Sequence, residues 1–151
     1  MLRANLLSRT DRLLVYPERR ADAGFWLGVE PFMALPTNSE FETIGAAILS
    51  ALGKSSGTER DPTNWNEFNR PRLAAAGVKT EAAFQRGSNM VSIEMNAGRI
   101  RFSPNHNNGS KAESKGFSVI ESEVLFAPAS AEPFQVGRAA MATLLKCTGE
   151  A

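Results

Sequence analysis

The chain has 151 residues, 42% of them hydrophobic and 22% charged, with a formal net charge of +1. That length suits one globular domain that buries a core without metal or disulfide staples. The balanced charge excludes a strongly basic nucleic-acid coat and an acidic disordered tail, and the single Cys and single His exclude an intrachain disulfide and most metal sites.

Near the start, the longest apolar run is Leu13-Leu14-Val15-Tyr16. It is too short for a signal peptide, and no stretch approaches the ~18 apolar residues of a membrane span. The expectation is a soluble, cytoplasmic protein with no membrane contact. Leu13, Val15, Phe25, Leu27, Val29 and the run Phe32 to Leu35 predict two or three strands, punctuated by Pro17, Gly24, Pro31 and Pro36. The polar run Glu18 to Asp22 reads as a hairpin connection. A helix follows, with Ser39 as N-cap and Glu42 completing a capping box. Phe41, Ile44, Ile48 and Leu52 recur at helical spacing, and Gly53 ends the helix.

Residues 53–64 are polar and read as a loop, with Trp65 and Phe68 as anchors onto the core. Asn69 is placed to cap a short helix that begins at Arg70-Pro71 and stops at Gly77. Thr80 and Glu81 begin another, which Gly87 ends. Val91, Ile93 and Met95 alternate with polar residues, Ala97-Gly98 turns, and Arg99 to Phe102 returns, so 90–103 predicts a hairpin. Residues 104–116 read as a polar loop and 117–126 as a further strand. Ser130 opens a final helix whose rows Val136, Ala140, Leu144 and Gly137, Met141, Leu145 share one face. The expected fold is a single α+β domain spanning 1–151, an antiparallel sheet with helices packed on one side.

No reactive constellation emerges. Gly53-Lys54-Ser55 resembles the end of a phosphate-binding loop, but Ile48 stands where that loop needs its first glycine. His106 has no second His beside it, and Cys147 ends a helix where the dipole opposes a thiolate. Glu121 and Glu123 lie two apart on the expected strand with nothing to set their acidities apart. The sequence therefore offers no catalytic residue, metal ligand or cofactor. Charge is uneven along the chain: residues 1–20 hold five Arg and two acids, 40–69 five acids and two bases, and 113–135 four acids and one base.

One block carries a resemblance. Asn64-Trp65, the run Arg70-Pro71-Arg72-Leu73-Ala74-Ala75-Ala76-Gly77-Val78-Lys79, then Ala83 to Gly87, the hairpin from Val91 to Ile100 and Gly116-Phe117 resemble the central block of an immunity protein family. That family belongs to bacterial contact-dependent growth inhibition systems. The resemblance implies a small cytoplasmic α+β protein, not an enzyme. Its partner would be the C-terminal toxin domain of a large exoprotein, bound one-to-one and thereby blocked. Such toxins are commonly nucleases, often acting on tRNA. No contact residue transfers from the family, because contacts vary with the toxin.

A nuclease must present positive charge, so acidic faces are the candidates for contact. The first comprises Glu40, Glu42, Glu59, Asp61 and Glu67; the alternative comprises Glu113, Glu121 and Glu123. Trp65 reads as a core residue. The competing function is a small nucleic-acid-binding module using Arg3, Arg9, Arg12, Arg19 and Arg20.

Overall fold

The computed structural model describes residues 1–111, 113 and 115–149. Ten strands form one curled sheet: β1 (Leu2–Ser8), β2 (Leu13–Ala21), β3 (Trp26–Gly28), β4 (Met33–Leu35), β5 (Thr58–Glu59), β6 (Asn89–Asn96), β7 (Arg99–Asn107), β8 (Phe117–Val119), β9 (Leu125–Pro128) and β10 (Thr148–Gly149). The backbone of the sheet runs β10-β7-β6-β1-β2-β3, with β4 and β5 also pairing β2, and β8 and β9 pairing β7. Its long ladders are antiparallel; only the two-residue pairings of β5 and β10 are parallel. Four helices accompany it: α1 (Phe41–Gly53), α2 (Trp65–Ala76), α3 (Glu81–Arg86) and α4 (Pro133–Leu144).

The expected antiparallel α+β domain with its main helices on one side is present. Side chains alternate across each strand. Ala4, Leu6, Leu13, Val15, Val91, Ile93, Ile100 and Phe102 point to the face covered by α1 and α4 and form the principal core with Ile44, Ile48, Leu52, Val136 and Ala140. Residues of opposite parity, Leu7, Leu14 and Tyr16, form a smaller cluster with Leu73 and Ala76 of α2 and Phe84 of α3. α1 and α4 cross at Gly45 and Gly137, both fully inside helices. A methyl group on Gly45 would overlap the Pro133 carbonyl oxygen, and one on Gly137 the Phe41 carbonyl oxygen.

Several boundaries differ from expectation. β1 was not expected, although it is the central strand. Residues 18–21 belong to β2 rather than to a hairpin connection. Pro17 lies within β2 and lacks an amide to donate, but its carbonyl accepts from Val29 N–H at 2.9 Å. Glu40, not Ser39, occupies the N-cap position of α1 and makes no side-chain cap bond; the Ser39 hydroxyl donates instead to the Pro36 carbonyl at 2.7 Å. α2 begins at Trp65 rather than at Arg70, capped by Asn64 Oδ1, which accepts from Glu67 N–H at 3.1 Å. Pro71 therefore lies inside the helix. Glu132 caps α4, with Gln135 completing its capping box, so Ser130 does not; Leu145 lies beyond the helix and is exposed. β7 continues through Asn107 into the expected loop, of which residues 112 and 114 lie outside those described. The single strand expected over 117–126 is split into β8 and β9 by a 3-10 turn, Glu121–Glu123.

Two arginines from the β1–β2 turn hold the small helices to the sheet. Arg9 Nη1 donates to the Phe84 carbonyl at 2.9 Å and to Ser88 Oγ at 2.8 Å, and Arg12 Nη1 donates to the Ala75 carbonyl at 3.0 Å. Cations at helix C-termini are favoured by the backbone dipole as well as by these bonds. Arg9→Ala is expected to cost about 2 kcal/mol, because a charge-assisted donor is withdrawn from carbonyls it alone reaches from the sheet. Urea unfolding of the two proteins measures it.

Candidate functional site

On the face opposite α1 and α4, the sheet register builds a row of alternating charge. Arg3 stands directly across from Glu18 on β2 and Glu94 on β6, and Glu94 stands across from Arg101 on β7. Arg101 in turn bonds Glu121. The Arg3 Nε lies 3.3 Å from Glu18 and 3.9 Å from Glu94, and its guanidinium sits 4.9 Å over the Trp26 ring. Burial pushes the Glu18 carboxyl upward, against the opposing pull of Arg3 and Asn5.

Beside this row, Tyr16, Glu18, Trp26, Gly28, Trp65, Phe68, Asn69, Arg72 and Glu81 line a recess of about 330 Å³. α2 forms one wall and β3 another. Trp65 stacks at 5.8 Å on Phe25 and 6.1 Å on Phe68, yet remains 47% exposed, so it is a surface aromatic rather than the core residue expected. Starting α2 at Trp65 rather than at Arg70 places that ring on the first, outward turn. Arg72 bonds Glu81 and lies 4.2 Å over the Phe84 ring.

Tyr16, the chain's single tyrosine, is buried at the edge of this recess. Burial pushes its hydroxyl up to about 12, although the Arg72 cation pulls the other way. Unfolded tyrosine ionises near 10, so the stability tied to the neutral phenol is fully present below that pH and is lost as pH rises toward 12. The whole window is worth roughly 3 kcal/mol. Ultraviolet titration of tyrosinate is expected to show no ionisation near pH 10 while the protein stays folded; a normal titration there would contradict the burial.

A second recess, about 480 Å³, lies across Gly28 and Phe68 from the first. Arg19, Glu30, Phe32, Glu59, Glu67 and Pro71 are among its walls. Of the first expected acidic face, the structure thus brings Glu59 and Glu67 together. Glu59 pairs with Arg19 at 3.1 Å, and Asp61 accepts the Ala23 N–H at 3.0 Å across the β2–β3 turn. Glu40 and Glu42 sit at the other end of α1, a 13-residue helix about 20 Å long. Their neighbours are Phe41 and, across the helix pair, Phe134, whose rings are 5.8 Å apart. On the alternative face, Glu121 and Glu123 occupy the 3-10 turn, not one strand face. Glu121 is bound to Arg101 and Glu123 lies 3.7 Å from Lys146, while Glu113 is exposed.

The arginines proposed to bind nucleic acid have other duties. Arg3 is in the charge row, Arg9 and Arg12 hold helix ends, and Arg19 donates to the Lys54 carbonyl at 2.8 Å and pairs with Glu59. Arg20 is exposed near the Gly24 turn. Ser55, the last residue of the phosphate-loop-like tripeptide, is buried and bridges strands: it accepts from Arg3 N–H at 2.8 Å and donates to the Glu18 carbonyl at 2.6 Å. His106 is exposed on β7, its Nδ1 2.7 Å from Thr148 Oγ1. Burial pushes the Cys147 thiol upward, and its Sγ lies 3.3 Å from the Met90 carbonyl. Among the described residues no group of three or more His, Cys, Asp or Glu is placed to hold a metal ion. No helix among them is long and apolar enough to cross a membrane.

The recess lined by Glu18 and Trp26 was not foreseen, because residues 18–22 read as a turn. The available signal was the pairing of acid and aromatic types across two short apolar runs.

The small α+β scaffold thus presents two adjoining recesses, one walled by aromatic and the other by acidic side chains. The model of the CdiI family, CDI immunity protein, matches residues 57–147, which span β5, α2, α3, β6 to β9 and α4. The chain belongs to that family. Two solved structures share its fold at 16% sequence identity. A chain of the CdiA-CT/CdiI toxin and immunity complex from Yersinia pseudotuberculosis aligns with a TM-score of 0.74, covering 97% of both chains. A protein of unknown function from Neisseria meningitidis aligns with a TM-score of 0.73, covering 97% of this chain and 94% of that one. No curated protein matches the chain significantly in sequence.

Proposed function

We propose that the protein binds the toxic C-terminal domain of a contact-dependent growth inhibition exoprotein, one-to-one, in the cytoplasm, and neutralises it by covering it. The observation that carries this reading is the family match over residues 57–147. The likeness to a chain of a toxin and immunity complex accords with it. The family resemblance implies that the toxin is a nuclease acting on tRNA, and an acidic surface would complement its phosphate-binding site. Protection requires tight binding; ~1 nM corresponds to about −12 kcal/mol.

The contact face is assigned to the acidic side of α2 and β5. The exposed carboxylates of Glu67 and Glu30 have no ion-pair or hydrogen-bond partner among the described residues and line one recess with Glu59. Asp61 stands beside them, while Glu40 and Glu42 would reach only a toxin that spans α1. The Glu113, Glu121 and Glu123 face is the alternative, and two of its carboxylates already face cations. The nucleic-acid reading loses its support because four of its five arginines serve internal partners.

The test is co-expression with the toxin domain encoded immediately upstream. Growth is expected to be restored, and the two chains to elute together in equal amounts. Undiminished killing would refute the reading.

A further inference from the structure

The charge row across the sheet has a vacant seat. From β7 to β3 it reads Arg101, Glu94, Arg3, Glu18 and then Gly28, since Glu18 stands directly across from Gly28. The signs alternate until the last position, which has no side chain. A bulkier residue there would meet Tyr16, whose Cε2 lies 2.8 Å from where a Cβ would be. The space over Gly28 is the first recess, walled by Trp26, Trp65 and Phe68.

Its polar atoms are loosely matched. Arg3 Nε, Glu18 Oε1 and the neighbouring Asn5 Oδ1 are buried and make no hydrogen bond, although Arg3 Nε stands 3.3 Å from Glu18 Oε1 as an ion pair. Asn5 is 3% exposed, and an unmade bond at such depth is costly. The carboxylates Glu18, Glu94 and Glu121 face two guanidiniums, Arg3 and Arg101, while Arg72 and Glu81 neutralise each other. Arg20, the remaining cation on this part of β2, is exposed by the hairpin tip and is not among the recess walls.

We propose that the recess over Gly28 receives one lysine or arginine side chain of the partner protein, its cation beside Glu18 and between the Trp26 and Trp65 rings. The chain already shows this chemistry once, where the Arg3 guanidinium lies over Trp26 against Glu18. Cation–ring contact and a half-buried carboxylate reinforce each other where water is excluded. The partner, on the reading above, is the toxin domain, whose nucleic-acid-binding surface supplies such side chains. Aromatic and charged anchors in a well-walled pocket are the usual carriers of interface energy.

Trp26 and Trp65 are the chain's two tryptophans and both line the recess, so intrinsic fluorescence reports on it directly. The probe is N-acetyl-arginine amide, with N-acetyl-citrulline amide as its neutral counterpart, at constant ionic strength. The arginine compound is expected to shift the emission saturably, with half-saturation on the order of millimolar. The citrulline compound is expected not to. Glu18→Gln, checked by circular dichroism to be folded, is expected to weaken the response ~10-fold or more; Trp65→Ala, at an exposed site, serves as the second variant and is expected to weaken it as well. No saturable response, an equal response to citrulline, or an undiminished response in folded Glu18→Gln would overturn the seat. None of those results bears on protection from the toxin, which the growth assay tests separately.

Discussion

Gly45→Ala and Gly137→Ala are each expected to destabilise the fold by about 3 kcal/mol, against the helix preference for alanine. In an isolated helix the exchange would help by up to about 1 kcal/mol. Here each added methyl meets the partner helix's backbone, at the Pro133 and Phe41 carbonyls. Backbone cannot rotate away as a side chain does, so α1 and α4 must separate. Ile44, Ile48, Val136 and Ala140, all fully buried at that seam, then lose contact. Thermal denaturation is expected to show a loss of roughly 6–12 °C. Gly53→Ala, at the end of α1 with nothing within 4 Å of the new methyl, is the control and is expected to be neutral or mildly stabilising. Equal melting of all three variants and the parent would show that the helices do not cross as described.

Reversing Glu30, Glu59 and Glu67 to lysine is expected to abolish protection while leaving the fold intact. These carboxylates ring one surface recess and contribute little to stability: Glu59 forms a partly exposed pair with Arg19, and Glu30 and Glu67 are exposed. Against a basic toxin surface, six units of charge change turn attraction into repulsion. The complex is expected to weaken at least ~100-fold, or about 2.7 kcal/mol. The parent's association rate is expected to fall with added salt, and that dependence to shrink in the variant. The matching reversal of Glu113, Glu121 and Glu123 is expected to act more weakly, because Arg101 and Lys146 already face two of them. Surface plasmon resonance with the toxin domain compares the two sets. Full protection by the first variant would move the contact face elsewhere.

The parts of the fold legible in the sequence were those with a repeating period. The Val91–Ile100 hairpin, α1 and α4 each alternate or recur cleanly, and the turn at Ala97-Gly98 has both φ angles positive, as such hairpins require. β1 was missed because Ala4-Asn5-Leu6-Leu7 does not alternate in polarity. It lies between β2 and β6 with both faces buried, so a polar Asn is enclosed as fully as its leucine neighbours. Proline misled twice. Pro17 suggested an end to β2, and Pro71 suggested the start of α2. Each sits where its missing amide is tolerated within an element that neighbouring contacts hold together. The acidic residues of the site could be picked out by type, but their grouping could not: Glu42 sits in the first turn of α1, whereas Glu59 and Glu67 line one recess, and only the folded chain shows it.

The central place of β1 and β2 has a consequence for how the chain can be divided. The family match begins at residue 57, after both strands. A truncated product starting there would leave β6 with no neighbour on one side, its Val91 and Ile93 stripped of the leucines that shield them. Such a bare hydrophobic margin invites strand-to-strand self-association. The fragment is therefore expected to precipitate rather than bind, and the less recognisable N-terminal third to be indispensable.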